Sequence, residues 1–147
     1  MEKTAVQTLL GCMEEYDQAM GKVAAQLRPG DGLLGFGRDP KRDPCHMAFY
    51  EAVGEAVGQM AREGLPPREA EEAVRFLLEL FLSEDYNALT RPMREAVQGH
   101  ARPLVPFLDP AAARELADWY GRQYPRHRRL PVQSQLFKDL ERRGRGK

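Results

Sequence analysis

The sequence predicts an all-α fold, a compact single-domain bundle of five to six helices with a basic C-terminal segment. Apolar residues recur at helical spacing along most of the chain, prolines and glycines interrupt this pattern at intervals, and nothing reads as a convincing pair of strands. The length of 147 residues is that of one ordinary domain. We therefore expect one helical domain over 1–147, within which 121–147 is a basic segment whose order the sequence leaves open.

The first predicted helix has the most regular apolar pattern. Apolar residues recur there every seven positions, with further apolar residues between them, which gives an a/d stripe of about three heptads. The stripe comprises Val6, Leu9, Met13, Tyr16, Met20, Val23 and Leu27. A Pro-Gly pair at 29–30 ends the helix, and the glycine-rich residues 30–41 are predicted to form a loop.

Two further helices are predicted from capping and proline signals. Asp43 can accept hydrogen bonds from the free amides of a first turn, and Pro44 suits the first helical position because no donor is needed there. Gly64 lies just past the end of this second helix, and the prolines at 66–67 start the third. The expected apolar stripes are Tyr50, Val53, Val57 and Met60 in the second helix, and Ala70, Val74, Leu77, Leu78 and Phe81 in the third.

The C-terminal half is predicted to hold three more helical segments. A fourth, broken segment is capped by either Ser83 or Thr90 and includes Val97, and prolines then punctuate a short apolar connector at 104–108. A fifth helix repeats the Asp-Pro signal at 109–110 and ends before Pro125, and a last helix opens at Pro131. Their apolar faces are expected to hold Tyr86, Leu89, Met93 and Val97 in the fourth, Leu116, Trp119 and Tyr120 in the fifth, and Val132, Gln135, Leu136 and Leu140 in the last.

Composition excludes several classes of protein. Lys plus Arg is 22 and Asp plus Glu is 22, so the zero net charge argues against a generally basic nucleic-acid coat. No apolar run approaches the roughly 18 to 20 residues that span a bilayer, and no signal peptide is recognisable at the N-terminus. Two cysteines are too few for a disulfide scaffold. We therefore expect a reduced, cytoplasmic protein without a membrane span.

The charge is unevenly distributed along the chain. Residues 121–147 hold nine basic and two acidic residues, a net of +7, whereas 51–85 hold nine acidic residues and three arginines, a net of −6. Arginine forks match phosphate geometry, so the basic segment predicts nucleic-acid binding, with stacking of Tyr124 and His127 on an unpaired base as an additional expectation. The candidate residues are Arg122, Arg126, His127, Arg128, Arg129, Arg142, Arg143 and Arg145. Alternatively, these side chains pair with 51–85 in the same molecule or a partner copy, or form a solvated end.

A second candidate site lies at the start of the second helix. Asp39, Asp43, Cys45 and His46 place two carboxylates, a thiol and an imidazole within eight residues. Free amides at a helix N-terminus favour a thiolate, so a reactive Cys45 assisted by His46 is one hypothesis. A metal site formed by Asp39, Asp43 and His46 is the other. Adjacent helical residues point about 100° apart, which argues against Cys45 and His46 sharing one ion.

Three further patterns favour packing over chemistry. The letters GxGxxG at 30–35 follow a helix rather than a strand, which argues against a nucleotide site, and no cofactor is predicted. Gly54 and Gly58 lie four residues apart on the second helix and predict close approach of a neighbouring helix, within the molecule or in a homodimer. His100 is interpreted as a structural residue near a helix end.

The function most consistent with these patterns is that of a non-enzymatic helical interaction protein, which self-associates or binds a protein partner. The first alternative is a nucleic-acid-associated protein that uses the basic C-terminal segment. The second is a small enzyme or metal protein centred on Asp39, Asp43, Cys45 and His46.

Overall fold

The computed structural model describes residues 4–26, 43–79 and 96–146, and within these ranges the fold is all-α, with no strand. Residues 96–99 are also helical. The helices are α1 (Ala5–Gln26), α2 (Asp43–Glu63), α3 (Pro67–Glu79), α4 (Pro110–Gln123) and α5 (Pro131–Gly144), with 3-10 helices at Arg102–Phe107 and Arg126–Arg128.

Helices α1, α2 and α3 pack together through apolar stripes. α1 contacts both α2 and α3, as expected for a long helix lying along its neighbours. Gly64 ends α2 with φ +81°, a left-handed conformation that glycine adopts without strain, and this turns the chain directly into α3. The buried side chains are Ala5, Leu9, Met13, Tyr16, Phe49, Val53, Val57, Met60, Ala70, Ala73, Val74, Leu77 and Leu78.

The predicted apolar connector at 104–108 is a central part of the core. It lies largely within the 3-10 helix Arg102–Phe107, which packs against α2, α3 and α5. Leu104 and Leu108 are fully buried and Val105 nearly so. Pro103 and Pro106 lack an amide hydrogen, which disfavours a regular α-helix here. The segment thus joins the first three helices to the C-terminal part of the chain.

Helices α4 and α5 form an antiparallel hairpin with two close approaches. A Cβ placed on Gly121 would lie 3.2 Å from the Phe137 ring, and one on Gly144 would lie 2.7 Å from Cγ of Arg114. The end of α4, at Gly121, thus lies beside Phe137 of α5, whereas Arg114, near the start of α4, lies beside Gly144 at the end of α5. This order is that of two antiparallel helices. Leu116, Tyr120, Leu136 and Leu140 are fully buried in and around this hairpin.

The structure confirms the predicted starts of α2, α4 and α5 and corrects some details. The Asp109 side chain makes no capping hydrogen bond. Asp109 has an extended backbone conformation, and α4 begins at the next residue, Pro110. Phe49 is buried while Tyr50 is half-buried, and Gln133 rather than Gln135 points inward from α5. The predicted loop at 30–41, the side chains of Met20, Val23 and Leu27, and the residues from Phe81 to Met93 lie outside what the structure describes.

Candidate interaction site

The exposed arginines of the α4–α5 connection form a basic surface. Arg122 lies in the last turn of α4, and Arg126, His127 and Arg128 form the 3-10 turn that leads to α5. All four side chains are exposed. No acidic residue occurs between Asp118 and Asp139. We call Arg122, Arg126, His127 and Arg128 the hairpin arginine surface.

None of these arginines is neutralised by a described carboxylate. Ion pairs within the described ranges join Arg68 to Glu72, Arg75 to Glu71 and Glu115, and Arg102 to Asp139. In α3, Glu71 and Glu72 are therefore engaged with arginines of the same helix, and Glu69 accepts from the backbone amide of Ala5. The pairing between the basic segment and residues 51–85 of the same chain, one of the sequence alternatives, does not occur among these residues.

Two of the eight predicted basic residues serve the fold itself. Arg129 donates from Nε to the carbonyl of Tyr124 at 2.7 Å, and its guanidinium carbon lies 3.9 Å from the centre of the Phe137 ring. Arg143 donates from Nε to the carbonyl of Leu108 at 2.6 Å. These guanidiniums donate to backbone carbonyls of the fold, so fewer of their N–H groups are free to bind an external ligand.

The remaining predicted residues lie at the opposite end of the hairpin. Arg142 and Arg145 are exposed near the C-terminal end of α5, where Arg114 donates to the carbonyl of Gly144 at 2.7 Å. At 1.5 Å of rise per residue, the helix between Arg128 and Arg142 separates the two groups by about 20 Å. The eight residues therefore form two surfaces rather than one.

A buried polar cluster holds the hairpin in place. The Gln98 side chain is 1% exposed; its Oε1 accepts from the Tyr120 hydroxyl at 3.0 Å and from Gln133 Nε2 at 3.2 Å. Its Nε2 donates to the Tyr124 hydroxyl at 2.9 Å, and Gln133 Oε1 accepts from the amide of Leu130 at 3.0 Å. The Tyr120 and Tyr124 rings pack with centroids 4.9 Å apart. Tyr124 is thus engaged internally through its hydroxyl and one ring contact, and its ring is half-buried.

A second anchor ties α5 to the 3-10 helix at 102–107. Arg102 donates from Nε to Asp139 Oδ2 at 2.6 Å and from Nη1 to Gln135 Oε1 at 2.8 Å. The Arg102 and Asp139 side chains are 40% and 20% exposed, so solvent screens this pair only partly. These contacts hold α5 against the 3-10 helix.

An open groove of 670 Å³ lies between the start of α1, the C-terminal half of α2 and the start of α3. Its lining includes three carboxylates, Glu55, Glu63 and Glu69, and no Lys or Arg. Gln59 donates to Glu63 at 2.6 Å, and Arg62 reaches the border of the groove by donating to Gln59 at 2.8 Å. The apolar part of the lining is Ala5, Ala52, Ala56, Met60, Leu65 and Pro66. We call this feature the acidic groove.

The proposed cysteine and metal site cannot be assembled from the described side chains. Asp39 lies outside the described residues, and Asp43, Cys45 and His46 belong to the first turn of α2 but their side chains are not described. Among the side chains that are described, no three His, Cys, Asp or Glu residues group as a metal ion would require. Burial, and to a lesser degree Glu15, raises the pKa of the Cys12 thiol, which disfavours a reactive thiolate at that cysteine.

His100 is a packing residue at the junction of α2 with the C-terminal part. Its Nε2 donates to the carbonyl of Tyr50 at 3.1 Å, and the two rings lie 4.4 Å apart. A Cβ on Gly54 would lie 2.7 Å from the imidazole, so Gly54 admits the ring. Burial lowers the pKa of His100, and its hydrogen bond to Tyr50 opposes this only partly. A Cβ on Gly58 would lie 3.5 Å from Nη1 of Arg62 on the same helix, so among the described residues no neighbouring helix makes a close approach there.

Comparison with models of known protein families, with curated proteins and with solved structures found no match for this chain. None of the helices in the described part of the chain has the length and apolar character needed to cross a membrane.

Sequence reasoning missed the polar cluster and the acidic groove. Gln133 lies three and seven residues before Leu136 and Leu140, so its place on the buried face of α5 was visible in the helical spacing. The groove could not be found this way, because its residues come from three helices whose packing is set by tertiary contacts.

Proposed function

We propose that the protein is a non-enzymatic helical interaction protein that binds an acidic protein surface through its hairpin arginine surface. The observation that carries this proposal is the exposure of Arg122, Arg126 and Arg128 without a carboxylate partner among the described residues. Like charges held together without compensation repel one another, and an acidic partner relieves that repulsion.

The support beneath this surface favours recognition rather than a flexible solubilising end. The Gln98 cluster and the Arg102–Asp139 pair hold the hairpin on the rest of the fold, and the Arg129–Phe137 contact holds the connection against α5. Because the arginine backbones are already ordered, binding costs less conformational entropy than it would for a disordered tail. Arginine also forms bidentate hydrogen bonds with carboxylates, which gives such a surface directional specificity.

Fluorescence anisotropy with a labelled polyglutamate peptide tests the proposal. We expect the wild-type chain to bind it and to bind more weakly as salt rises from about 50 to 200 mM. The double variant Arg126→Glu/Arg128→Glu is expected to lose most of this binding. The control is the double variant Lys22→Glu/Arg68→Glu, which changes the net charge by the same amount as the hairpin variant but on α1 and α3. It is expected to retain binding. Absence of binding at low salt, or equal binding by both double variants, would contradict the proposal.

Nucleic-acid binding is the second candidate function, since the same arginines match phosphate geometry. Its weakness is that Tyr124 is held by Gln98 and Tyr120, which leaves His127 as the exposed ring of this surface. A labelled single-stranded oligonucleotide in the same titration distinguishes the two. Tighter binding of the oligonucleotide than of polyglutamate would favour the second candidate.

A further inference from the structure

The acidic groove has the chemistry of a receptor for arginine side chains. Arginine has an apolar stem that packs on hydrocarbon and a guanidinium that binds carboxylates. The groove offers both partners together, because Ala52, Ala56 and Met60 line it alongside Glu55 and Glu63. A purely apolar ligand would leave these carboxylates desolvated, and an acidic ligand would be repelled by them.

The chain itself carries a segment that fits this description. Arg126, His127 and Arg128 form a single exposed 3-10 turn between two helices. Arg122 flanks it on α4, and no acidic residue occurs between Asp118 and Asp139. The hairpin turn and the groove are therefore complementary in charge.

These two surfaces do not meet within one chain. Arg126 and Arg128 make no ion pair with any described carboxylate, and the hydrogen bonds of Glu63 and Glu69 are to Gln59 and to the backbone of Ala5. The hairpin is fixed on the other part of the fold by the Gln98 cluster and by Arg102.

We infer that the acidic groove receives the Arg126–Arg128 turn of a second copy of this chain. The inference rests on the proposed function, because it names the acidic partner of the hairpin arginine surface. Every copy carries both surfaces, so in a two-fold dimer each copy both donates a turn and accepts one. The carboxylates at the groove are at least partly solvated, which makes the association sensitive to salt.

A charge-reversal pair tests this inference by sedimentation velocity. Glu55→Lys/Glu63→Lys makes the groove basic and leaves Glu69, which accepts from the first turn of α1, unchanged. Arg126→Glu/Arg128→Glu makes the turn acidic. In each variant alone the two surfaces carry like charge, whereas in an equimolar mixture every groove faces a turn of opposite charge. Circular dichroism establishes that both variants are as helical as the wild type.

We expect the wild-type chain to associate beyond the monomer at about 50 mM salt and to dissociate as salt increases. Each variant alone is expected to be monomeric, and the mixture is expected to associate again. A folding defect would not produce that recovery. The control Glu14→Lys/Asp17→Lys reverses two exposed acids of α1 outside the groove and is expected to behave like the wild type.

Three results would overturn the inference. They are a monomeric wild type at low salt, association that survives reversal of either surface, and a mixture that stays monomeric. If the wild type is monomeric but still binds polyglutamate through the hairpin, the inference about the groove is wrong and the proposed function stands. If neither association nor polyglutamate binding occurs, both are wrong.

Discussion

The three helices α1 to α3 and the α4–α5 hairpin are held by different kinds of interaction. In the first group, the buried side chains are aliphatic or aromatic and come from three amphipathic stripes. In the second, apolar residues are joined by both of the buried polar residues of the described chain, Gln98 and Gln133. Arginines add hydrogen bonds to backbone carbonyls there, as Arg129 and Arg143 show.

This difference shows two ways of positioning a helix. Apolar burial is non-directional, so it fixes which face is turned inward but tolerates small shifts along the axis. Hydrogen bonds have narrow ranges of distance and angle, so the Gln98 cluster fixes how the hairpin sits against residues 96–99. A surface that binds through a few charged side chains benefits from the second kind of support, because their positions must be defined.

The largest loss of stability in the hairpin region is expected from Gln98→Leu. The substitution keeps the size of the side chain but removes the acceptor of Tyr120 and Gln133 and the donor to Tyr124. We expect the free energy of unfolding to fall by at least about 2 kcal/mol, since each buried polar group that loses its partner costs about 1–3 kcal/mol. Urea denaturation measures the change. Gln123→Leu, at an exposed position of α4, is the matched control; an equal loss in both variants would show that the cluster does not hold the hairpin.

A smaller change in stability is expected to distinguish an arginine that supports the fold, Arg102, from one that is assigned to binding, Arg128. Arg102→Ala removes an ion pair to Asp139 and a hydrogen bond to Gln135, and we expect a loss of about 1 kcal/mol or less because the pair is partly solvated. Arg128→Ala removes an exposed side chain without a described partner, and we expect a change within about 0.5 kcal/mol. Thermal unfolding of the two variants in one buffer measures both. The assignment of Arg128 to binding alone is wrong if its removal costs as much as that of Arg102.

The smallest effect is a pH dependence at the junction of the two regions. Burial lowers the pKa of His100 in the folded state, so the unfolded chain binds a proton there more readily. The stability due to the neutral imidazole is therefore complete above about pH 6.5 and is lost as the pH falls toward the lowered pKa. Unfolding free energies between about pH 7.5 and 5.5 should decline less in His100→Gln than in the wild type. His127→Gln, at an exposed site, is the control and should follow the wild type.

The predictable part of the fold is the part that depends on local chemistry. Proline signals located the starts of α2, α4 and α5, and Gly64 marked the end of α2, because each acts within one helical turn. The 3-10 helix at 102–107 was predicted only as a connector. Its two prolines suggest an interruption, whereas its burial depends on α2, α3 and α5 packing around it.

The candidate site was predictable in location but not in detail. Counting charges identified the basic segment and the acidic stretch at 51–85. Charge counting could not tell which arginines are exposed and which serve the fold. Arg128 and Arg129 are adjacent residues of one type, but of these two only Arg129 contacts Phe137 and donates to a backbone carbonyl. The acidic groove could not be predicted either. Which acidic residues of 51–85 line it depends on how α1 packs against α2 and α3.

The central position of the 3-10 helix Arg102–Phe107 has a consequence for the protein as it is synthesised. This segment covers parts of α2 and α3, yet it follows the end of α3 by more than twenty residues. At about 5–20 residues per second, a ribosome needs roughly 1–5 s to add that stretch. During this interval, the apolar side chains that Leu104, Val105 and Leu108 will cover are available to chaperones and to other nascent chains.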